Sequence, residues 1–287
     1  MDKDILSVIA EQSSHFSKSQ RQIAKYITEN YDKAAFMNAV KLAGIVGVSE
    51  STVVRFASML GYDGYPGMKR ALQEMIRNRL TSVQRIEVAN DIIGTRDILT
   101  AVLSSDVDKI RQTLEEVDKE SFERAVNLIC GAKRLYILGL RASACLSSFM
   151  GFNLNFIFEN VRVVNNTYVN ESFEQIMGIG EGDVFLGISF PRYSRETIKM
   201  MSYAKKKGAS TLSITDSAAS PIADLGDVQL YAKSDMVSFL DSLVAPLSLI
   251  NALMVAVATR ADSEGKLERA FEQLEMIWDE YEVYEKS

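Results

Sequence analysis

AVKLAGIVGVSESTVVRFASMLGY, residues 39–62, decides the reading of the first third of this chain. Leu42, Ala43 and Val46 recur at helical spacing and mark the inward face of a short helix. Gly47 follows, where a chain leaving a helix needs a left-handed residue. Val48 plugs the turn. Ser49 is placed to cap the next helix, with Thr52 three residues on in place of the Glu of a full capping box. That helix is expected to bury Val53, Phe56 and Leu60 and to end at Gly61. Small Ala43 lets the two helices cross closely. Two helices joined by a short glycine-bearing turn make a helix-turn-helix, although an ordinary α-hairpin shares the spacing.

In a helix-turn-helix the second helix enters the major groove with its N-terminal residues toward the base edges. Here those exposed positions are Glu50, Ser51, Thr52 and Arg55. Arg55 suits a bidentate contact to guanine, and Ser51 and Thr52 suit bases or phosphate. Ser49 is placed to meet a phosphate at the helix N-terminus. Tyr65, Lys69 and Arg70 come after this helix and are expected to hold the DNA backbone, which positions without specifying. For each of these residues a merely solvated helix face remains the alternative. Upstream, KSQRQIAKYITENY (18–31) puts Ile23, Tyr26 and Ile27 on one face, with Ser17 or Ser19 as N-cap.

Charge is distributed to match. The whole chain is at −6, but residues 1–80 hold 11 Lys/Arg against 8 Asp/Glu, and the remainder 21 against 30. A mildly basic head on an acidic body fits a nucleic-acid reader. With 287 residues, 47% of them apolar and 24% charged, the chain suffices for two globular domains. Cys130 and Cys145 lack metal-ligand spacing, the single histidine is His15, and both thiols are expected to be buried and reduced. No metal and no cofactor is expected. MDKDILSVIAEQ carries acids too early for a signal peptide. The apolar run Leu243 to Ala258 reads as shorter than the roughly 18–20 residues of a membrane span. A soluble, cytoplasmic protein without membrane contact is expected.

Residues 1–78 thus read as the head. Residues 79–105 read as a linker with helical pieces, and 106–287 as an α/β body with flanking helices. Ile110, Leu114 and Val117 and then SFERAVNLIC (121–130) mark two helices. From Lys133 strands and helices alternate. RLYILG (134–139), VRVVN (161–165), DVFLGIS (183–189), STLSIT (210–215) and VQLYA (228–232) are the expected strands. Helices are expected over 142–159 and 195–207, and two long ones over about 239–260 and 264–282. This alternation implies a five-stranded parallel sheet with helices on both faces, whose ligands sit at the carboxyl ends of the strands. There lie GLRAS (139–143), SFPRYSRET (189–197) and Thr215-Asp216. Hydroxyls and backbone N–H groups at helix N-termini, joined by Arg141, Arg192 and Arg195, form a site for a small anion. Serines and threonines at such turns also serve simply as caps.

The head, through SKSQRQIAKYI and VGVSESTVVRFASMLGYDGYPGMKRAL, resembles the N-terminal domain of the RpiR/MurR family of bacterial sugar-responsive regulators over about residues 5–77. GLRAS, ISFPRYSRET and SITDSAASPIADLGD make the body resemble the SIS (sugar isomerase) domain over about residues 120–260. That resemblance implies a phosphosugar ligand and carries the candidates Ser143, Ser189, Ser194 and Thr197 to the phosphate. The chain departs from the family pattern at Arg141, where a second glycine is usual, and at Pro191-Arg192, where Ser-Gly is usual; these arginines either fit the site to a different or smaller anion or pair with Glu196 or Asp216 and fill it.

Related SIS proteins isomerise sugar phosphates, which requires a base beside the carbonyl. The body has no histidine, and Glu171, Glu174, Glu181 and Glu196 read as surface or ion-paired groups. The leading expectation is a DNA-binding regulator, homodimeric or homotetrameric, that senses a small anion at its SIS domain and catalyses nothing. A sugar-phosphate isomerase with a helical interaction module is the second reading. A helical dimerisation protein with a vestigial α/β domain is the third.

Overall fold

The computed structural model describes residues 5–76, 83, 84, 86, 97–164, 169–234, 240–261 and 266–283. The N-terminal unit holds α1 (Ile5–Gln12), α2 (Lys18–Glu29), the short α3 (Tyr31–Ala34), α4 (Ala39–Val46), α5 (Glu50–Met59) and α6 (Gly64–Ile76). Ser17, not Ser19, caps α2, in a full capping box with Gln20. Ile5, Ile9, Ile23, Ile27, Leu42, Val53, Phe56, Met68, Leu72 and Ile76 form one buried cluster. Phe16 meets Phe56 edge-on at 5.4 Å between ring centres. Each such side chain contributes about 1.5–3 kcal/mol by leaving water.

The second unit begins within α7 (Ile98–Glu116) and includes α8 (Lys119–Cys130). Asp97 accepts hydrogen bonds from the backbone N–H and the hydroxyl of Thr100, so α7 starts inside the stretch read as linker. Most of that linker, residues 87–96 included, lies outside the described residues. The sheet follows: β1 (Leu135–Gly139), β2 (Val161–Val163), β3 (Val184–Ile188), β4 (Ser210–Thr215) and β5 (Val228–Tyr231), all parallel, in the order β2-β1-β3-β4-β5. β1 and β3 are buried at every position, as strands covered on both faces must be.

Successive side chains alternate between the faces. Leu135, Ile137, Val184, Leu186 and Ile188 pack with α8, α9 (Ala144–Leu154) and α12 (Val244–Ala261). Tyr136, Leu138 and Phe185 pack on the other face with Met200, Met201 and Ala204 of α11 (Arg195–Lys206). Gly187 lets α11 come close, since a Cβ there would lie 2.9 Å from the Met201 sulfur.

Four expectations are corrected. No element is expected between β2 and β3, yet a helix, α10 (Val169–Gln175), stands there. α9 is shorter than the expected 142–159: a 3-10 turn at Arg141–Ser143 delays its start, and it ends at Leu154. Cys145 is exposed and Cys130 only half-buried, since α9 buries Leu146, Ser147, Met150, Gly151 and Leu154 and turns Cys145 away. α12 is long and apolar enough, by length and composition, to cross a membrane. Its Leu249, Ile250, Leu253, Met254 and Val257 are buried in the sheet core. α13 (Lys266–Glu280) closes the described chain.

Candidate functional site

Gly47 takes left-handed backbone, φ 76°, and donates its N–H to the Ala43 carbonyl at 2.9 Å, which ends α4. Ser49 caps α5 by accepting from the Thr52 N–H at 3.3 Å. Its oxygen also lies 3.0 Å from the Ser51 hydroxyl and 2.8 Å from that of Thr52. Val53, Phe56 and Ala57 are buried, which turns Glu50, Ser51, Val54, Arg55 and Ser58 outward, with Thr52 half-buried. Arg55 is held along the helix by its Nε donating to the Ser51 carbonyl at 3.2 Å. Val54 was missed in the sequence because an apolar residue beside Val53 reads as core. On an outward face it suits a thymine methyl.

Tyr65 is a correction. It is buried at 5% exposure and donates its hydroxyl to the Met37 carbonyl at 3.0 Å. Burial pushes its pKa up to about 12. Tyr65, Met68, Leu72 and Ile76 form the inward stripe of α6, so this phenol belongs to the core and not to a phosphate contact. Lys69 is half-buried, and that burial lowers its pKa. Arg70 is exposed.

The second site lies past the carboxyl ends of β1, β3 and β4, three neighbouring strands. Gly139 is required where β1 ends, because a Cβ there would lie 2.3 Å from the Ser143 carbonyl oxygen. Arg141 then takes φ 57° and is exposed. Ser143 is buried and its side chain makes no capping bond to α9. Ser147, unmarked in the sequence, lies one turn on; its hydroxyl donates to the Ala144 carbonyl at 3.1 Å.

After β3, the Ser189 hydroxyl accepts from the Ser194 N–H at 3.2 Å. The Ser194 hydroxyl in turn caps α11 by accepting from the Thr197 N–H at 3.3 Å. Ser189, Ser194 and Thr197 are thereby brought together in one turn. The Thr197 hydroxyl is buried and has no hydrogen-bond partner among the described residues. Arg192, at the crest of the loop, takes φ 67° and is exposed. Tyr193, not singled out in the sequence, and Thr215, expected at the end of β4, complete the mouth. Tyr193 donates its hydroxyl to the buried Asp216 carboxylate at 2.8 Å, and Thr215 donates to the Ser189 carbonyl at 2.7 Å. Hydroxyls, a helix N-terminus and exposed guanidinium groups suit a phosphate or carboxylate.

Comparison with known proteins matches both units. Residues 3–79 match the helix-turn-helix domain of the rpiR family, and residues 128–256 match the SIS domain. The chain is 26% identical over 283 residues to the HTH-type transcriptional regulator HexR of Pseudomonas aeruginosa, covering 95% of this chain and 96% of that one. Its fold is similar to that of the Vibrio vulnificus NanR protein complexed with ManNAc-6P, with TM-score 0.59 and 22% identity over 96% of this chain and 98% of that one. It is also similar to the sugar isomerase domain of an RpiR transcription factor from Sphaerobacter thermophilus, with TM-score 0.57 and 25% identity over 62% of this chain and 98% of that one. The chain therefore belongs to the rpiR family, as a transcriptional regulator that joins a helix-turn-helix domain to a SIS domain.

Proposed function

We propose that this regulator binds a two-fold operator through α5 and that a phosphosugar at the strand-end crevice of the SIS domain changes that binding. The observation that carries the DNA reading is the Ser49-capped helix, with Ser51 and Arg55 exposed at its N-terminal half. Arg55 reads a base edge, Ser49, Ser51 and Thr52 meet bases or phosphate, and Lys69 holds backbone. Ser143, Ser189, Ser194 and Thr197 take the ligand phosphate, with Arg141 and Arg192 beside them. The relation to the NanR protein, whose structure contains ManNAc-6P, supports this ligand class.

The SIS domain senses and does not catalyse. Glu181 stands in the turn before β3, at the end of the sheet away from the crevice, and Glu174 is exposed on α10. Asp216 accepts the Tyr193 hydroxyl, and Glu196 lies in the first turn of α11. The protein works in the cytoplasm as a homodimer or homotetramer, since a two-fold operator takes two heads. On α7, Leu103, Val107, Ile110 and Leu114 are exposed at the alternating spacing of a helix-to-helix seam, which supports pairing of subunits.

The test is a genome-wide DNA-binding selection on the purified full chain at a stated salt concentration. Enrichment of a two-fold site over random DNA is the expected result. No enrichment at low or moderate salt, with sugar phosphates present or absent, contradicts the reading.

A further inference from the structure

We propose that Val54 is a specificity-determining residue of the DNA reader: its side chain meets the methyl group of a thymine in the major groove, next to the base pair that Arg55 reads. The proposal rests on the reading of α5 as the helix that enters that groove, and adds an apolar contact to it.

Val53 and Val54 are the same residue type at adjacent positions of α5, yet Val53 is 0% exposed and Val54 is 37% exposed. The helical period separates them. Val53, Phe56 and Ala57 face the core. Ser51, Val54, Arg55 and Ser58 recur at i, i+3, i+4 and i+7 and form one exposed stripe. Val54 is no part of the buried cluster that Val53 and Phe56 join. A β-branched residue is also a weaker helix former than alanine. Neither burial in the core nor helix propensity therefore favours valine at this position.

The rest of the stripe suits close approach. Ser51 and Ser58 stand about one turn before and one turn after Val54, and both side chains are small. Their hydroxyls have partners within the head: that of Ser51 lies 3.0 Å from the Ser49 hydroxyl, and that of Ser58 donates to the Val54 carbonyl at 3.3 Å. A helix with such flanks can lie deep enough for a short valine to reach the base edges. In the major groove thymine alone presents an apolar group, its methyl, where cytosine presents an amino donor. An apolar side chain would strip that donor of water and give it no acceptor, so it selects thymine. Val54 and Arg55 are consecutive on the stripe, so the methyl and the guanine belong to neighbouring base pairs.

The test takes the two-fold site returned by the genome-wide selection and replaces its thymines one at a time with deoxyuridine, which removes only the methyl. Fluorescence anisotropy at one stated salt concentration gives the affinity of the full chain for each duplex. One replacement in each half-site, beside a guanine, is expected to weaken wild-type binding about fourfold, the factor that burying one methyl-sized group supplies. In Val54→Ala, where alanine keeps the helix, that penalty disappears while the two-fold site is still preferred to random DNA. Val54→Thr keeps one methyl and is expected to show an intermediate penalty. A wild type indifferent to every deoxyuridine overturns the proposal, as does a penalty that Val54→Ala leaves undiminished; the operator reading then stands. A selection that returns no site overturns the operator reading itself, and the proposal with it.

Discussion

The Thr215 hydroxyl donates to the Ser189 backbone carbonyl across 2.7 Å, tying the end of β4 to the turn that follows β3. Both residues are buried, so the bond forms out of reach of solvent. Thr215→Val keeps the shape and removes the donor. Leaving a buried carbonyl short of a partner costs roughly 1–3 kcal/mol. A lower melting temperature and weaker ligand binding are expected, with operator affinity of the folded protein unchanged. Calorimetry and a DNA titration on one preparation separate the two effects.

Arg55→Ala should cost roughly 1–3 kcal/mol of operator affinity and relax specificity at one base pair. Lys69→Ala should instead weaken all sequences alike and reduce the slope of log affinity against log salt by about 1. Fluorescence anisotropy over a salt series, with the selected operator and a scrambled one, distinguishes a base reader from a phosphate clamp.

Tyr65 makes the helix-turn-helix sensitive to alkali. Burial raises its folded pKa from an ordinary value near 10 to about 12. Its contribution to stability is fully present below about pH 10 and is lost as pH rises through 12. Tyr65→Phe also removes the bond to the Met37 carbonyl and should destabilise the head by about 1 kcal/mol at neutral pH. The variant should show a flatter stability profile between pH 10 and 12. An unchanged profile would place that sensitivity elsewhere.

Asp183 gives the α/β unit the opposite dependence. Burial pushes its pKa up, but the Arg134 side chain at 2.6 Å and the Gly180 N–H outweigh that and hold it below the usual carboxylate range. Its contribution is present above about pH 4 and is lost as pH falls through the depressed folded value. Asp183→Asn should melt lower at pH 7, and the gap to wild type should narrow in acid.

Local signals that reach across a few residues were legible in the sequence. Gly47 and Ser49 are a left-handed stop and a cap, and the structure places both as read. The continuous apolar runs of β1 and β3 announced strands covered on both faces. Features that depend on packing were harder to read. Tyr65 resembles a surface phenol until its spacing with Met68, Leu72 and Ile76 is seen to make one face of α6. The start of α7 was signalled by Asp97 and Thr100 but obscured by the polar stretch before it. The left-handed backbone at Arg141 and Arg192 could not be read from residue type, since arginine is an unusual occupant of that conformation.

If ligand and operator share one conformational equilibrium, their coupling must be reciprocal. The most direct measurement is the affinity of the full chain for its sugar-phosphate ligand with and without saturating two-fold operator. A change by the same factor that the ligand imposes on operator affinity, typically about 5–150-fold, is expected. Equal ligand affinity in the two states would contradict it.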